Sequence, residues 1–143
     1  MVNKTRILAV DFGLKRVGLA VSDQYNKIAL PLDLIENNGY KELLVHLKTI
    51  CNDYDIGLIV LGHPVGFEKE KTNILKRVDD FAELMKKSLE IPVEFEDERY
   101  STIQARKYML EADVRKSRKK TLKDSISATI FLQSYLDIHS DKK

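Results

Sequence analysis

Three carboxylates in this chain stand where an apolar run ends or an amphipathic one begins. Asp11 closes Ile7-Leu8-Ala9-Val10, Glu98 closes the short run from Val93, and Asp124 opens a long apolar stretch. An acid at the end of a buried strand is costly without a partner, and three at one point would not all stay ionised without a cation. Carboxylate oxygens are hard ligands that suit Mg²⁺ or Mn²⁺. Such a site can hold two ions, one activating a water and one stabilising the leaving oxygen of a phosphodiester. Cations accompany the acids. Lys15 and Arg16 follow Asp11, and the most basic segment, VRKSRKKTLK at 114–123, carries Arg118, Lys119 and Lys120. A basic loop of that kind can lie along a phosphate backbone. Each feature also has an ordinary explanation: a polar turn, a solvated acidic loop, a solvated charge run, and a Thr121–Asp124 capping pair.

The elements that must position these groups follow from periodicity. Residues 7–23 form two apolar, β-branched runs joined by a turn holding Gly13 and Gly18, the pattern of a hairpin. Lys27–Ile35 is a third strand, and Pro31 places it at a sheet edge or breaks it there. A turn at Asn37-Asn38-Gly39 leads into a helix over Tyr40–Asn52, with Leu43, Leu44, Leu47, Ile50 and Cys51 on one stripe. Cys51 is thus a core thiol, and His46 beside it has no partner at metal-ligand spacing. Ile56–Gly62 is apolar without alternation, as in a strand buried on both faces, and the loop at its carboxyl end contains His63. Ligands gather at such loops, although a plain strand-to-helix connection explains His63 equally well.

A helix over Lys71–Leu89 presents Ile74, Leu75, Val78, Phe81, Ala82 and Met85 to a core, and Pro92 stops it. The next strand, from Val93, ends in four acids within five residues, 94–98. Ser101 and Gln104 form a capping box for a helix to about Ala112. The final helix, Thr121–Asp137, is apolar around much of its circumference and must pack on the sheet. This order predicts an α/β fold: a mixed sheet, antiparallel in its first three strands and then parallel, with helices on both faces.

At 143 residues with a net charge of +2, the chain has the size of one domain, and its balance of signs neither demands nor excludes nucleic acid. The single cysteine rules out a disulfide framework and fits a reducing, cytoplasmic setting. No apolar run is long enough to cross a bilayer, and the N-terminal run is too short for a signal peptide.

Four segments together resemble the YqgF family of pre-16S rRNA nucleases, also called Holliday-junction-resolvase-like proteins, of the ribonuclease-H-like superfamily. They are Asp11–Asp23 (DFGLKRVGLAVSD), Val60–Pro64 (VLGHP), Asp97–Thr102 (DERYST) and Lys123–Ala128 (KDSISA), the last continuing through Leu132-Gln133-Ser134-Tyr135-Leu136. The resemblance spans nearly the whole chain. It implies a ribonuclease-H-like five-stranded sheet and a single nuclease domain over 1–139 with a polar tail at 140–143. It also implies a divalent-metal-dependent endonuclease acting on structured nucleic acid, pre-16S rRNA in ribosome biogenesis or branched DNA. Asp11, Glu98 and Asp124 would hold Mg²⁺ or Mn²⁺ and carry catalysis. Lys15, Arg16 and Arg99 would contact phosphates. Adjacent strand residues face opposite sides, so Asp97 and Glu98 compete for the middle position. The chain departs from the family pattern at Val65–Glu70 (VGFEKE), where an Asn-Gly or Asp-Gly turn is usual.

Three other readings stand beside this one. A Holliday-junction resolvase would act on DNA as a homodimer, since a symmetric junction calls for two copies. A non-catalytic assembly factor would keep only the binding surface. An ATPase of the actin and sugar-kinase type shares the Asp-x-Gly hairpin, but clamps nucleotide between two related domains where this chain has one.

Overall fold

In the segment Arg6–Asp11 successive residues go to opposite sides of a sheet, and the two sides are covered by different helices. The computed structural model describes residues 6–63, 72–97 and 126–140. In chain order these form β1 (Arg6–Asp11), β2 (Arg16–Ser22), β3 (Ala29–Glu36), α1 (Tyr40–Asp53), β4 (Ile56–His63), α2 (Thr72–Leu89), β5 (Val93–Asp97) and α3 (Ile126–Ser140). The five strands make one sheet in the order β3-β2-β1-β4-β5. β1 pairs antiparallel with β2, and β2 with β3, whereas β1–β4 and β4–β5 are parallel. This is the mixed sheet expected from the sequence. β3 lies at an edge and runs unbroken through Pro31, which pairs with Ala20; an edge tolerates the missing donor.

The larger side chains pack on one face. Leu8, Val10, Phe12, Leu19, Ile59 and Leu61 from the sheet meet Leu43, Leu47 and Cys51 of α1 and Val78, Phe81, Ala82 and Met85 of α2. The helical residues recur at three- and four-residue spacing, so each helix turns a single stripe inward. Cys51 is a buried free thiol within this core, as expected. The other face is built from small residues. Ala9, Ala20, Ala29 and Val60 of the sheet lie against Ala128, Phe131, Leu132, Tyr135 and Leu136 of α3. Alanines in both partners let helix and sheet approach closely, and Phe131 fills the space they leave. Each large apolar side chain so buried contributes about 1.5–3 kcal/mol.

One polar residue ties α3 to the start of β3. Gln133 accepts from the Ala29 N–H at 2.9 Å and donates to the Lys27 carbonyl at 3.0 Å, spanning more than a hundred residues of sequence. The β2–β3 connection is closed by Asp23, whose Oδ1 accepts from the N–H groups of Lys27 and Ile28 at 2.7 and 2.9 Å. Desolvation pushes the Asp23 carboxyl up, but backbone donors from Ile28, Lys27 and Tyr25 outweigh it and hold the group below its ordinary value. No described helix is long and apolar enough to cross a membrane. The expected helix over 101–112 and residues 121–125 of the last one lie outside the described residues.

Candidate active site

The site grows from the end of β1. Asp11 pairs with Gly18 on β2, one alternation step from the Ala9–Ala20 pair that faces α3. Period-two alternation therefore puts Asp11 on the α3 side and its neighbours Val10 and Phe12 in the opposite core. On the other flank, Val10 pairs with Leu61, so the next rung sets Asp11 beside Gly62, and Gly62 pairs in turn with Glu96 of β5. The rung reads Gly18–Asp11–Gly62–Glu96. Two glycines flank the half-buried Asp11 in its own row, and two strand spacings place the Asp11 and Glu96 backbones about 10 Å apart. The parallel pairing brings the carboxyl ends of β1, β4 and β5 to one edge of the sheet.

Glu94 and Glu96 share the α3 side. The Tyr135 hydroxyl on α3 donates to Glu94 Oε1 at 3.0 Å. Burial pushes the Tyr135 phenol up to about 12, helped by that hydrogen bond and by the charges of Glu94 and Glu96. Tyr135 is therefore a fixed neutral donor at any physiological pH. Its carbonyl is in turn bonded to His139 Nδ1 at 2.9 Å, with the imidazole stacked on the phenol ring.

The loop that follows Asp11 is held in a single shape. A Cβ on Gly13 would lie 2.3 Å from the Arg16 carbonyl oxygen, a backbone atom that cannot swing away. Asn37, just past β3, donates from its side-chain amide to the Gly13 carbonyl at 2.9 Å and from its backbone N–H to the Lys15 carbonyl at 2.8 Å. Its Oδ1 accepts from Gly39 N–H, and Gly39 adopts φ 116°, a left-handed conformation that favours glycine. Below the loop, Phe12 packs against Phe81 and Tyr40 at ring separations of 5.2 and 6.3 Å. Lys15 and Arg16 stand exposed at the tip. The hairpin thus offers a carboxylate, a rigid glycine turn and two cations within six residues.

Of the residues singled out from sequence, Asp11, Lys15 and Arg16 are placed here together. Glu98, Arg99, Arg118, Lys119, Lys120 and Asp124 lie outside the described residues, as do the side chains of His63 and Asp97 and the loop Val65–Glu70. Among the described residues alone, no group of three His, Cys, Asp or Glu side chains could hold a metal ion. Sequence reasoning passed over Asn37, read only as a turn residue, and Gly62 and Glu96, whose shared rung depends on strand register. A glycine ending an otherwise bulky strand was the available signal for Gly62.

The chain superposes on Thermus thermophilus RuvC in complex with a Holliday junction substrate, with a TM-score of 0.64, 10% identity, and coverage of 95% of this chain and 97% of that one. Fowlpox virus resolvase, also solved with Holliday junction DNA, matches with a TM-score of 0.55, 16% identity and coverage of 94% and 98%. At such identities the likeness is one of fold, and the fold is ribonuclease-H-like. Sequence comparison goes further. The family model described as "RuvX: Holliday junction resolvase" matches residues 5–138, and the chain belongs to this family of nucleases. A Dictyoglomus thermophilum protein named "Putative pre-16S rRNA nuclease" is 41% identical over 135 residues, covering 94% of this chain and 97% of that protein. A protein of the same name from Endomicrobium trichonymphae is 36% identical over 138 residues, covering 96% and 99%. The resemblance carried by the four motifs is to this same family.

Proposed function

We propose that this protein is a divalent-metal-dependent endonuclease that hydrolyses phosphodiester bonds of structured nucleic acid, with pre-16S rRNA as its substrate. The observation that carries this reading is the Gly18–Asp11–Gly62–Glu96 rung at the carboxyl edge of the sheet. A hard carboxylate donor at the carboxyl edge of the sheet suits a small, hard cation. Asp11, Glu98 and Asp124 would hold Mg²⁺ or Mn²⁺, which when bound activates water and stabilises the leaving oxygen. Residue parity favours Glu98 over Asp97 for the middle position. Glu94 and Glu96 lie on the Asp11 side of β5 and Val93 packs against the opposite core, which supports the even-numbered acid.

The remaining steps belong to the chain's own groups. Lys15 and Arg16 at the hairpin tip would bind phosphates flanking the scissile one, with Arg99, Arg118, Lys119 and Lys120 extending that track. The locked Gly13 turn fixes the distance between Asp11 and these cations, so that a bound phosphate is oriented as well as held. The buried Cys51 is consistent with work in the reducing cytoplasm.

The test is cleavage of a labelled pre-16S rRNA fragment and a four-way DNA junction, each with Mg²⁺, Mn²⁺ or EDTA, by wild type and Asp11→Asn. The expected result is metal-dependent cutting of the rRNA fragment that EDTA abolishes and Asp11→Asn lowers by about 10²–10³-fold. Cutting of the junction alone, by a protein that sediments as a homodimer, would make it a DNA resolvase. Binding without cutting of either would make it an assembly factor.

A further inference from the structure

A second concavity lies on the other side of the Asp11–Arg16 loop, towards α1 and α2. It is a cleft of about 690 Å³, within the range of small-molecule sites. Its apolar part is made by Phe12 and Tyr40, with Leu14 at the lip. Phe81 stacks behind Tyr40 at 5.6 Å and 18°, and the Tyr40 hydroxyl donates to the Arg77 carbonyl at 3.3 Å, so the ring is held in place. Leu14 is 54% exposed, a large apolar side chain displayed on a loop tip next to two cations. The polar wall is the outer side of α2, where Lys76 and Arg77 stand with one acid, Asp80.

The half-buried Tyr40 ring, seated on the buried Phe12 with Leu14 exposed at the lip and two cations beside it, matches one chemistry well: a base with its attached phosphate. Unpaired bases are bound by stacking on aromatic side chains while cations track the backbone. The position of the cleft says where that base would come from. Phe12 follows Asp11 directly, so their Cα atoms are 3.8 Å apart, yet they face opposite sides of the sheet. A strand crossing the end of β1 meets Asp11 on one side and this cleft on the other.

We propose that the Phe12–Tyr40–Lys76–Arg77 cleft binds an unpaired nucleotide flanking the cleavage site, so that the enzyme prefers a duplex carrying a single-stranded extension. This rests on the nuclease reading above. The test uses two fluorescent RNA probes of identical duplex, one blunt and one with a four-nucleotide flank containing 4-thiouridine. Both are bound, in Ca²⁺, to wild type, Leu14→Ala and Lys76→Glu/Arg77→Glu. The three substituted positions are exposed or at the cleft lip, so the fold is retained. Wild type should bind the flanked probe about tenfold more tightly, the effect of one stacked base. Leu14→Ala should lose that preference while binding the blunt probe unchanged, and the double variant should lose it as well. Photocrosslinks should map to the hairpin loop or the first turns of α2. Uridine monophosphate at millimolar concentration should compete with the flank and not with the duplex.

A flank preference that survives both variants overturns the proposal, as does equal binding of the two probes by wild type. Monophosphate binding at this cleft without any flank preference would make the occupant a free nucleotide and would equally overturn it. If wild type binds neither probe, the nuclease reading fails together with the cleft. If it binds the blunt duplex but gains nothing from the flank, the cleft alone fails.

Discussion

Asn37 and Gly13, twenty-four residues apart, are joined by a 2.9 Å hydrogen bond from the Asn37 amide to the Gly13 carbonyl. The end of the third strand thereby sets the shape of the loop that follows the first strand's terminal acid.

Removing that tie should cost more activity than stability. Asn37→Ala loses the bond to Gly13 and the acceptor for Gly39 N–H, at about 1–2 kcal/mol of folding free energy. The loop cations then sample more positions, and nuclease turnover should fall about tenfold or more at temperatures where the fold is intact. Denaturant melts and single-turnover cleavage on the same preparations would check both parts. Equal, small losses in both would mean that Asn37 is only a turn residue.

Gly13 should tolerate no side chain. The Cβ of Gly13→Ala would overlap the Arg16 carbonyl, and relieving the overlap means rebuilding a turn whose other ends are pinned by Asn37. A loss of about 3 kcal/mol is expected, read as a drop in the denaturation midpoint. Gly39→Ala is the control. Nothing lies within 4 Å of its Cβ, so only the positive φ opposes it, and its cost should be about 1 kcal/mol.

The Tyr135–Glu94 contact predicts a pH signature at the alkaline end. The folded phenol titrates at about 12 against an ordinary 10.0. A raised pKa means a stabilisation present in full below pH 10 and lost as pH climbs to 12. Tyr135→Phe should lower stability near neutrality by about 1 kcal/mol. Its melting temperature should then fall less steeply than wild type between pH 10 and 12. Parallel slopes in the two proteins would show that Tyr135 is not the titrating group.

At the acid end the signature belongs to Asp23. Its lowered pKa gives stability that is present above about pH 4 and drains away as pH falls through the folded value. Asp23→Asn keeps an acceptor for Lys27 and Ile28 but loses the charge, and should cost about 1 kcal/mol at pH 7. As pH falls through the folded value the difference from wild type should shrink. Thermal melts from pH 7 to pH 2 would follow the convergence.

Local pattern in the sequence carried most of the sheet. The unalternating apolar run Ile56–Gly62 marks a strand covered on both sides, and Pro31, read as an edge or a break, lies on an edge strand that continues through it. What escaped is what depends on pairs distant in sequence. Gly62 matters because register sets it between Asp11 and Glu96, and register is a property of two strands together. The choice between Asp97 and Glu98 stayed open for the same reason. A period of two says that neighbours differ, not which of them faces the acid. Asn37 sits in an Asn-Asn-Gly turn, and nothing in that tripeptide points back to residue 13.

The clamp by which Gln133 grips both Lys27 and Ala29 has a bearing on how the molecule is made. Strands β1 to β3 leave the ribosome before α3, with Ala9, Ala20 and Ala29 forming an apolar patch that, among the described residues, α3 covers. Until about a hundred more residues have been translated, that patch is bare, and a nascent chain in this condition is a target for chaperones or for self-association. The same delay keeps the α3 side of Asp11 open until α3 has been made.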